Sequence, residues 1–219
     1  MVYDTHAAFG AALMETILVA EHASLSWQAG AAVALACACA VLPDIDHPSS
    51  WITQRVDPLG LVSKVFRHRT FTHSLILSAL LYLVLFVVFP GVPVWLASGV
   101  LVGWMSHWLI DLTNPAGVML FWPFPTRGMQ QRIHWNGFVR NPVKWLTIPV
   151  ESTGEDVAKI LLKLYTLFVA VLYLLAHFPL DLGFLSGAYQ PVRAFAAHTL
   201  SYVEWRFLAH AALALHIGV

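Results

Sequence analysis

The chain is built from long apolar blocks separated by two polar segments. Apolar residues dominate the stretches 7–20, 26–43, 73–90, 94–113, 157–178 and 192–217. A transmembrane helix needs about 20 mostly apolar residues. The pattern therefore predicts an all-α, polytopic integral membrane helical bundle with about five or six transmembrane helices. The first stretch is short and contains Glu15, and the last, which carries several charged residues, could instead lie in the membrane interface.

The two polar segments, 44–72 and 114–156, are rich in Pro, Gly and Asn. Such composition is typical of loops with short helical pieces. Their tryptophans, Trp51, Trp122, Trp135 and Trp145, fit an aromatic belt at the membrane surface. We therefore expect a single membrane domain, 1–219, with these loops at one face.

Composition strengthens the membrane interpretation. Hydrophobic residues make up 58% of the chain and charged residues 11%, whereas soluble proteins carry about 25% charged residues. The formal net charge is zero, so no basic field favours nucleic acid as a partner. Cys37 and Cys39 point in different directions on one helix, which argues against a disulfide between them. The N-terminus lacks a basic segment and cleavage site, so we expect no cleaved signal peptide.

Positive charges lie in the same two loops. Segment 44–72 contains Arg55, Lys64, Arg67 and Arg69, and segment 114–156 contains Arg127, Arg132, Arg140 and Lys144. The opposite connections, 21–25, 90–93 and 179–190, contain no Lys or Arg. Because positive loops stay in the cytoplasm, both loops are predicted to be cytoplasmic, as are both termini if there are six spans.

This topology brings acidic and histidine side chains from distant parts of the chain to one membrane face. The candidate metal ligands are His6, Asp44, Asp46, His68, His73, His107, Asp111 and Glu155. His107 and Asp111 are four residues apart and so share one helical face. His73 is predicted to be the first residue of a helix that Thr72 caps. His47 and His134 lie on the same side, and the sequence leaves their roles open.

Imidazole and carboxylate without thiolate suit zinc, manganese or iron(II). The ligands outnumber one tetrahedral site, so two or three ions are expected. Such ions activate water and clamp phosphoesters. Asp44 or Asp46 would take a proton from the attacking water, and Arg67 and Arg69 would hold a phosphate oxygen. These arginines are equally explained as the cytoplasmic topology signal.

Three motifs in series resemble a known family. PDIDHP, HRTFTHS and SHWLIDLTNPAGVMLFWPF occur in this order and are similar to those of the bacterial inner-membrane, YdjM-like metal-dependent hydrolases. The likeness covers roughly residues 1–165 and includes His6, and STGED at 152–156 resembles a late family segment with its glutamate, Glu155. It implies a multi-pass protein of the bacterial inner membrane, and the positive charges of the two loops predict an active site on its cytoplasmic side.

A more distant likeness is to zinc-dependent phospholipase C, whose three zinc ions use an early histidine, an aspartate, a following histidine, an HxxxD pair and a late HxxxE. Glu151 stands four residues before Glu155, so the late HxxxE is absent here. The resemblance therefore does not extend to a complete three-ion ligand set.

These observations predict a membrane-embedded metal-dependent hydrolase that cleaves a phosphoester in a lipid or amphipathic substrate. The oligomeric state stays open. One alternative is a divalent metal or proton transporter, although its ligands should lie near the bilayer midplane. Another is a structural membrane protein whose helix ends are stapled by metal.

Overall fold

The computed structural model describes residues 1–124, 147–177 and 190–199, and this part of the chain is helical without an extended strand. The long helices are α1 (Tyr3–Ala20), α2 (Trp27–Cys39), α5 (Leu75–Leu83), α6 (Val94–Asp111) and α7 (Thr153–His177). Short helices α3 (Thr53–Val56) and α4 (Leu61–Val65) lie in the first loop, and α8 spans 190–199. Two 3₁₀ turns, Leu42–Asp46 and Phe71–His73, flank that loop, and a π-helical segment, Val84–Val88, extends α5.

Two helical stretches among the described residues, Trp27–Asp46 and Thr153–His177, have the length and hydropathy needed to cross a membrane. The prediction of a helical chain with membrane-type segments is thus confirmed, but the count of five or six spans is not. The α5 helix and its π-helical extension form a shorter apolar helix. The predicted stretch 192–217 lies largely outside the described residues.

Small residues hold α1, α2 and α6 unusually close together. A Cβ atom added at Gly99 would lie 2.5 Å from the carbonyl oxygen of Ala32, and one at Gly103 would lie 2.5 Å from that of Ala36. From α1, a Cβ at Gly10 would lie 2.6 Å from the same Ala36 oxygen. Only helices with small residues at the contact approach this closely. The alanine-rich α2 is therefore the central helix of this packing.

The α7 helix packs on α1 and leaves much of its surface exposed. The Thr16 hydroxyl lies 2.7 Å from that of Tyr165, and Val19 packs with Val169 and Leu172. The outward residues of α7 are large and apolar: Ile160, Leu161, Leu164, Leu167 and Phe168 are exposed. Such a face suits a lipid environment better than water.

Two predicted helix boundaries are wrong in a way that matters for the site. Ser74, not Thr72, caps α5, because its hydroxyl accepts a hydrogen bond from the Leu77 amide. His73 therefore closes the preceding 3₁₀ turn instead of opening the helix. Pro43 similarly stands in the first turn of a separate 3₁₀ segment, so α2 ends at Cys39 and not at residue 43.

The start of α7 also lies earlier than predicted. Ser152 accepts a hydrogen bond from the amide of Glu155, 3.2 Å away. The spacing S-x-x-E in 152–155 is that of a capping box, which explains why α7 begins at Thr153 and not at residue 157. Glu155 consequently lies in the first turn of the helix and does not precede it.

The close packing of α2 and α6 can be tested with a pair of glycine variants. We expect Gly103→Ala to lower the free energy of unfolding by about 1–3 kcal/mol, because the added methyl group meets the Ala36 backbone. Gly30→Ala is the control: nothing lies within 4 Å of its Cβ position, so helix propensity should leave stability equal or higher by up to ~1 kcal/mol. The measurement is thermal unfolding in detergent, and equal stability of the two variants would contradict the packing.

Candidate metal centre

Seven of the eight predicted ligands come together at one end of the α1–α2–α6 packing. The 3₁₀ turn after α2 contributes Asp44 and Asp46, and the turn before α5 contributes His68 and His73. The beginning of α1 contributes His6, and the last turn of α6 contributes His107 and Asp111. Their nitrogen and oxygen atoms form three overlapping groups, which are defined below by their residues.

The middle group consists of Asp44, His73 and His107. The two Nε2 atoms of its histidines are 3.0 Å apart. Asp44 Oδ1 lies 3.3 Å from His107 Nε2 and 3.9 Å from His73 Nε2, and Asp111 Oδ2 lies 3.8 Å from His73 Nε2. Ligands of a tetrahedral ion bound at about 2.0–2.1 Å are separated by about 3.3–3.4 Å. The three atoms of this group lie close to the spacing that a single small divalent cation requires, with Asp111 at its edge.

The outer nitrogens of both histidines are already engaged. His107 Nδ1 lies 2.7 Å from the carbonyl oxygen of Ala40, which can only accept, so this nitrogen carries the hydrogen. His73 Nδ1 lies 2.9 Å from the hydroxyl oxygen of Thr72, and that hydroxyl donates to Asp46, so Nδ1 donates here as well. As neutral rings, both imidazoles thus direct Nε2 lone pairs at one another, the arrangement that metal-binding histidines adopt.

The inner group consists of His6, His107 and Asp111. The ring of His6 stacks on that of His107 with centroids 3.8 Å apart, and His6 Nε2 lies 3.5 Å from Asp111 Oδ1. Both ring nitrogens of His6 are buried without a hydrogen-bond partner. Buried polar atoms rarely remain unpaired, so this orphaned imidazole fits a metal ligand.

Two cations also approach the inner group. Arg69 Nη2 lies 3.1 Å from Asp111 Oδ2, and the amino group of Met1 lies 3.1 Å from Asp111 Oδ1. Arg69 Nη1 further donates to Asn114 Oδ1 at 3.0 Å. Arg69, predicted to bind substrate, therefore also neutralises and orients Asp111. The side chain of Arg67, the other predicted substrate ligand, is exposed and stays a prediction.

The outer group consists of Asp44, Asp46 and His68. Asp46 is buried, and its two oxygens accept hydrogen bonds from His68 Nδ1 at 2.7 Å, from the Arg69 amide at 3.1 Å and from Thr72. A carboxylate engaged in this way orients the histidine whose other nitrogen can bind metal. Asp46 thus supports the site from behind, whereas Asp44 faces the open side.

A cavity of about 320 Å³ adjoins the outer group. Asp44, His47, His68 and Arg69 line its polar side. Its remaining lining residues are mostly apolar or small: Met1, Val2, Tyr3, Val41, Ser49, Ser50, Trp51, Ile52, Val150 and Glu151. The rings of Tyr3 and Trp51 stack at 4.9 Å. The cavity thus joins candidate metal ligands on one wall to an aromatic and aliphatic wall.

His47, which the sequence left open, lines this cavity but belongs to none of the three groups. Its ring meets that of His68 edge-on at 4.5 Å, and Nδ1 lies 3.1 Å from the Ser49 hydroxyl. Partial burial lowers the pKa of His47, and the neighbouring His68 lowers it further. The neutral imidazole is therefore favoured at this wall. His134 lies outside the described residues.

Glu155 is the predicted ligand that does not join the cluster. It is buried, but its oxygens accept hydrogen bonds from the amides of Val2 at 2.6 Å and Glu151 at 2.7 Å. These bonds tie the start of α1 to the start of α7. In the described structure Glu155 thus acts on helix packing and belongs to none of the three metal-ligand groups.

Sequence reasoning missed Asn114, Ala40 and the true role of Thr72. Asn114 holds Arg69, and its own position follows the 107–111 motif directly, in DLTNPAG. Thr72 links Asp46 to His73 within FTHS. Both polar residues lie within the motifs quoted above, next to recognised ligands, so adjacency was an available signal. The Ala40 carbonyl offered none, because any residue supplies that backbone atom.

Comparison with known proteins identifies the family to which the chain belongs. The model of the YdjM inner membrane protein family matches residues 1–181. The chain belongs to this family. It is therefore a membrane protein, in agreement with its helical and apolar character. No solved structure matches, and the comparisons give the likeness to zinc-dependent phospholipase C no support.

Curated relatives match a shorter stretch. The chain is 39% identical over 87 residues to the inner membrane protein YdjM of Escherichia coli strain K12, covering 38% of the chain and 44% of that protein. The YdjM protein of Shigella flexneri gives the same values. The YvsG protein of Bacillus subtilis is 34% identical over 89 residues, covering 40% of the chain and 54% of that protein. The chain thus spans about half the length of the curated relatives it matches.

Metal analysis of the purified protein tests the clusters. We expect bound divalent ions in the unaltered chain and the loss of at least one ion in His73→Ala and in His107→Ala combined with Asp111→Ala, because these side chains supply the converging atoms. The matched control is His177→Ala, whose Nδ1 donates to the carbonyl of Tyr173 in its own helix. Unchanged stoichiometry in the first two variants would refute the metal centre.

Proposed function

We propose that this YdjM-family protein is a metal-dependent hydrolase that cleaves a phosphoester in a lipid or amphipathic substrate. The observation that carries the proposal is the pair of facing Nε2 atoms of His73 and His107, 3.0 Å apart, beside the carboxylate of Asp44. Two lone pairs at this distance repel each other unless a cation lies between them or one ring is protonated. The nearby carboxylates stabilise either positive charge, but a proton between His73 and His107 leaves the buried ring nitrogens of His6 without a partner, and this supports the cation.

Zinc is the proposed ion, with manganese or iron(II) as further candidates, because the donors are imidazole and carboxylate without thiolate. The middle group would hold one ion, and the outer group, which shares the carboxylate of Asp44 with it, would hold a second. His107 has one free lone pair, at Nε2, so an ion in the inner group would be an alternative to the one in the middle group. Such an ion lowers the pKa of a water molecule and neutralises the charge of a phosphoester when it is bound.

The chain's own residues support distinct roles in this reaction. Asp44 lines the cavity and its side chain is 14% exposed, so it is the better candidate to accept a proton from the attacking water. Asp46 is enclosed by three donors and would hold His68 and His73 in position. Arg69 lines the cavity while bound to Asp111, which leaves it able to attract a phosphate to this wall.

The form of the cavity supports an amphipathic substrate. A charged headgroup would lie against Asp44, His68 and Arg69, and an apolar part would lie against Tyr3 and Trp51. Because the cavity opens at the ends of α1 and α2, a lipid could reach it from the bilayer without dissolving in water.

We further propose a multi-pass topology of five or six spans in the bacterial inner membrane, with the metal centre on the cytoplasmic side. The exposed apolar residues of α5 and α7 support membrane contact. The cationic residues Arg55, Lys64 and Arg67 on the loop that carries α3 and α4 support the cytoplasmic orientation.

A metal-stapled structural protein is the second candidate function. The observation that favours it is burial: none of the side chains of His6, His73, His107 and Asp111 is open to solvent. The three ligand groups also connect four parts of the chain, namely α1, the turn after α2, the segment before α5, and α6. A transporter is less favoured, because the candidate ligands lie at one end of the helices and not along them.

Activity tests separate the enzyme from the staple. Metal-loaded protein should hydrolyse a phosphoester lipid or a chromogenic phosphodiester, and chelation should abolish the reaction. Asp44→Asn and Asp46→Asn should each lower the rate by about 10²-fold or more. Asp156→Asn is the control, because its carboxylate pairs with Lys159 on the surface. Bound metal without turnover of any tested phosphoester would favour the staple, whereas full activity in Asp44→Asn would remove Asp44 from the reaction.

Topology can be measured by labelling single cysteines in a background without Cys37 and Cys39. Lys64→Cys should react with an impermeant maleimide only from the cytoplasmic side, because it lies on the loop beside the metal centre. Glu21→Cys, on the turn after α1, is exposed at the other end of the helices and should react only from the opposite side. Labelling of both positions from the same side would overturn the orientation.

A further inference from the structure

A second cavity lies between α1, α2 and α7, away from the metal centre. Its volume is about 260 Å³. The lining residues are Glu15, Leu18, Val19, Leu25, Ser26, Ala29, Gly30, Val33, Val169, Ala170, Tyr173 and Leu174. Most of these side chains are aliphatic, so this groove suits an apolar body.

Glu15 is the one carboxyl group among the described residues that line this groove. Its residue exposure is only 8%, and its Oε2 atom is buried without a hydrogen-bond partner. A carboxyl group in such surroundings is costly unless it finds a partner. Ionisable residues at membrane depth are therefore functional candidates by default.

The other polar groups of the groove already have partners. The Ser26 hydroxyl accepts a hydrogen bond from the Ala29 amide as the cap of α2, and the Tyr173 hydroxyl donates to the carbonyl of Ala23. Glu15 is thus the group left to bind a ligand. It requires a ligand with a hydrogen-bond donor.

The groove is distinct from the metal centre. Glu15 lies nine residues after His6 on α1, which corresponds to about 14 Å along the helix axis. The two cavities share no lining residue. A ligand in the groove would therefore not touch the metal-binding side chains.

We propose that this groove binds a small apolar molecule that carries a single hydroxyl or amine donor, with the donor bonded to Glu15. Leu18, Val33, Val169 and Leu174 contact the apolar body. The volume corresponds to roughly nine water molecules at about 30 Å³ each, so a molecule of about nine heavy atoms fits. The exposed backbone of Gly30 leaves an opening at the side of the helices, through which a molecule dissolved in the bilayer can enter.

The probe is 1-octanol, and the readout is modification of Glu15 in the full chain by diisopropylcarbodiimide, an apolar reagent of similar size, followed by mass spectrometry. This reagent attacks carboxyl groups in apolar surroundings. We expect Glu15 to react and saturating 1-octanol to slow the reaction about tenfold through simple occupancy. Nonane, which has the same number of heavy atoms and no donor, should not protect. Glu155, buried but hydrogen-bonded at both oxygens, should stay unmodified.

A pair of glycine variants tests the position of the ligand. Gly30→Leu adds a side chain at a lining position where nothing lies within 4 Å, so it should occupy the space of the ligand and slow the modification of Glu15 itself, with little further protection by 1-octanol. Gly91→Leu, at an equally open position outside the groove, should keep the protection.

Several results would overturn the proposal. An unreactive Glu15 without 1-octanol would mean that the chain itself covers the groove. Equal protection by nonane would remove Glu15 as the anchor, and unchanged modification with full protection by 1-octanol in Gly30→Leu would locate the ligand elsewhere.

Discussion

The close contact between α2 and α6 is the constraint on which the candidate metal centre depends. Gly99 and Gly103 allow the α6 backbone to lie directly against Ala32 and Ala36. Only at this distance can the His107 imidazole, one turn beyond Gly103, reach the Ala40 carbonyl at the end of α2. That hydrogen bond fixes which nitrogen of His107 faces the centre. Helix packing thus determines the chemistry of a ligand directly.

The same contact concentrates charge in a buried volume. Asp44, Asp46 and Asp111 all belong to the three overlapping ligand groups. Carboxylates that share such a buried site repel each other. The Arg69 guanidinium and the Met1 amino group offset part of this charge at Asp111, and the Arg69 backbone amide donates a hydrogen bond to Asp46. Divalent cations would offset the remainder. Charge balance and ligand spacing therefore lead to the same interpretation of the site.

The candidate metal centre and the Glu15 groove differ in how many of their polar atoms have hydrogen-bond partners. In the metal centre, Asp46, Thr72, His73 and His107 form a connected set of hydrogen bonds, in which one partner fixes the next. Glu15 has no comparable network around its Oε2 atom. A pre-organised cluster suits tight and specific coordination, whereas a single unpaired carboxyl in an aliphatic groove suits a ligand recognised by one bond and by its shape.

The order of the motifs was sufficient to predict most of the candidate ligands. Asp44, His73, His107 and Asp111 could be identified because ionisable residues at the ends of apolar segments are costly and therefore informative. The S-x-x-E spacing at 152–155 also indicates that α7 begins at Thr153, whereas the apolar pattern alone predicted a start four residues later, at 157. Hydropathy predicted membrane-type helices but could not fix their number, since α5 and α6 combine apolar residues with polar ends.

The sequence by itself determined a helical membrane protein with histidines and carboxylates at one end of its apolar segments, because composition and spacing act locally along the chain. Only the tertiary structure decided which of these groups face each other. Glu155 binds backbone amides instead of joining the cluster, Arg69 is engaged with Asp111, and Asp46 stands behind Asp44. These outcomes depend on angles between packed helices and on backbone atoms such as the Ala40 carbonyl, which no side-chain pattern encodes.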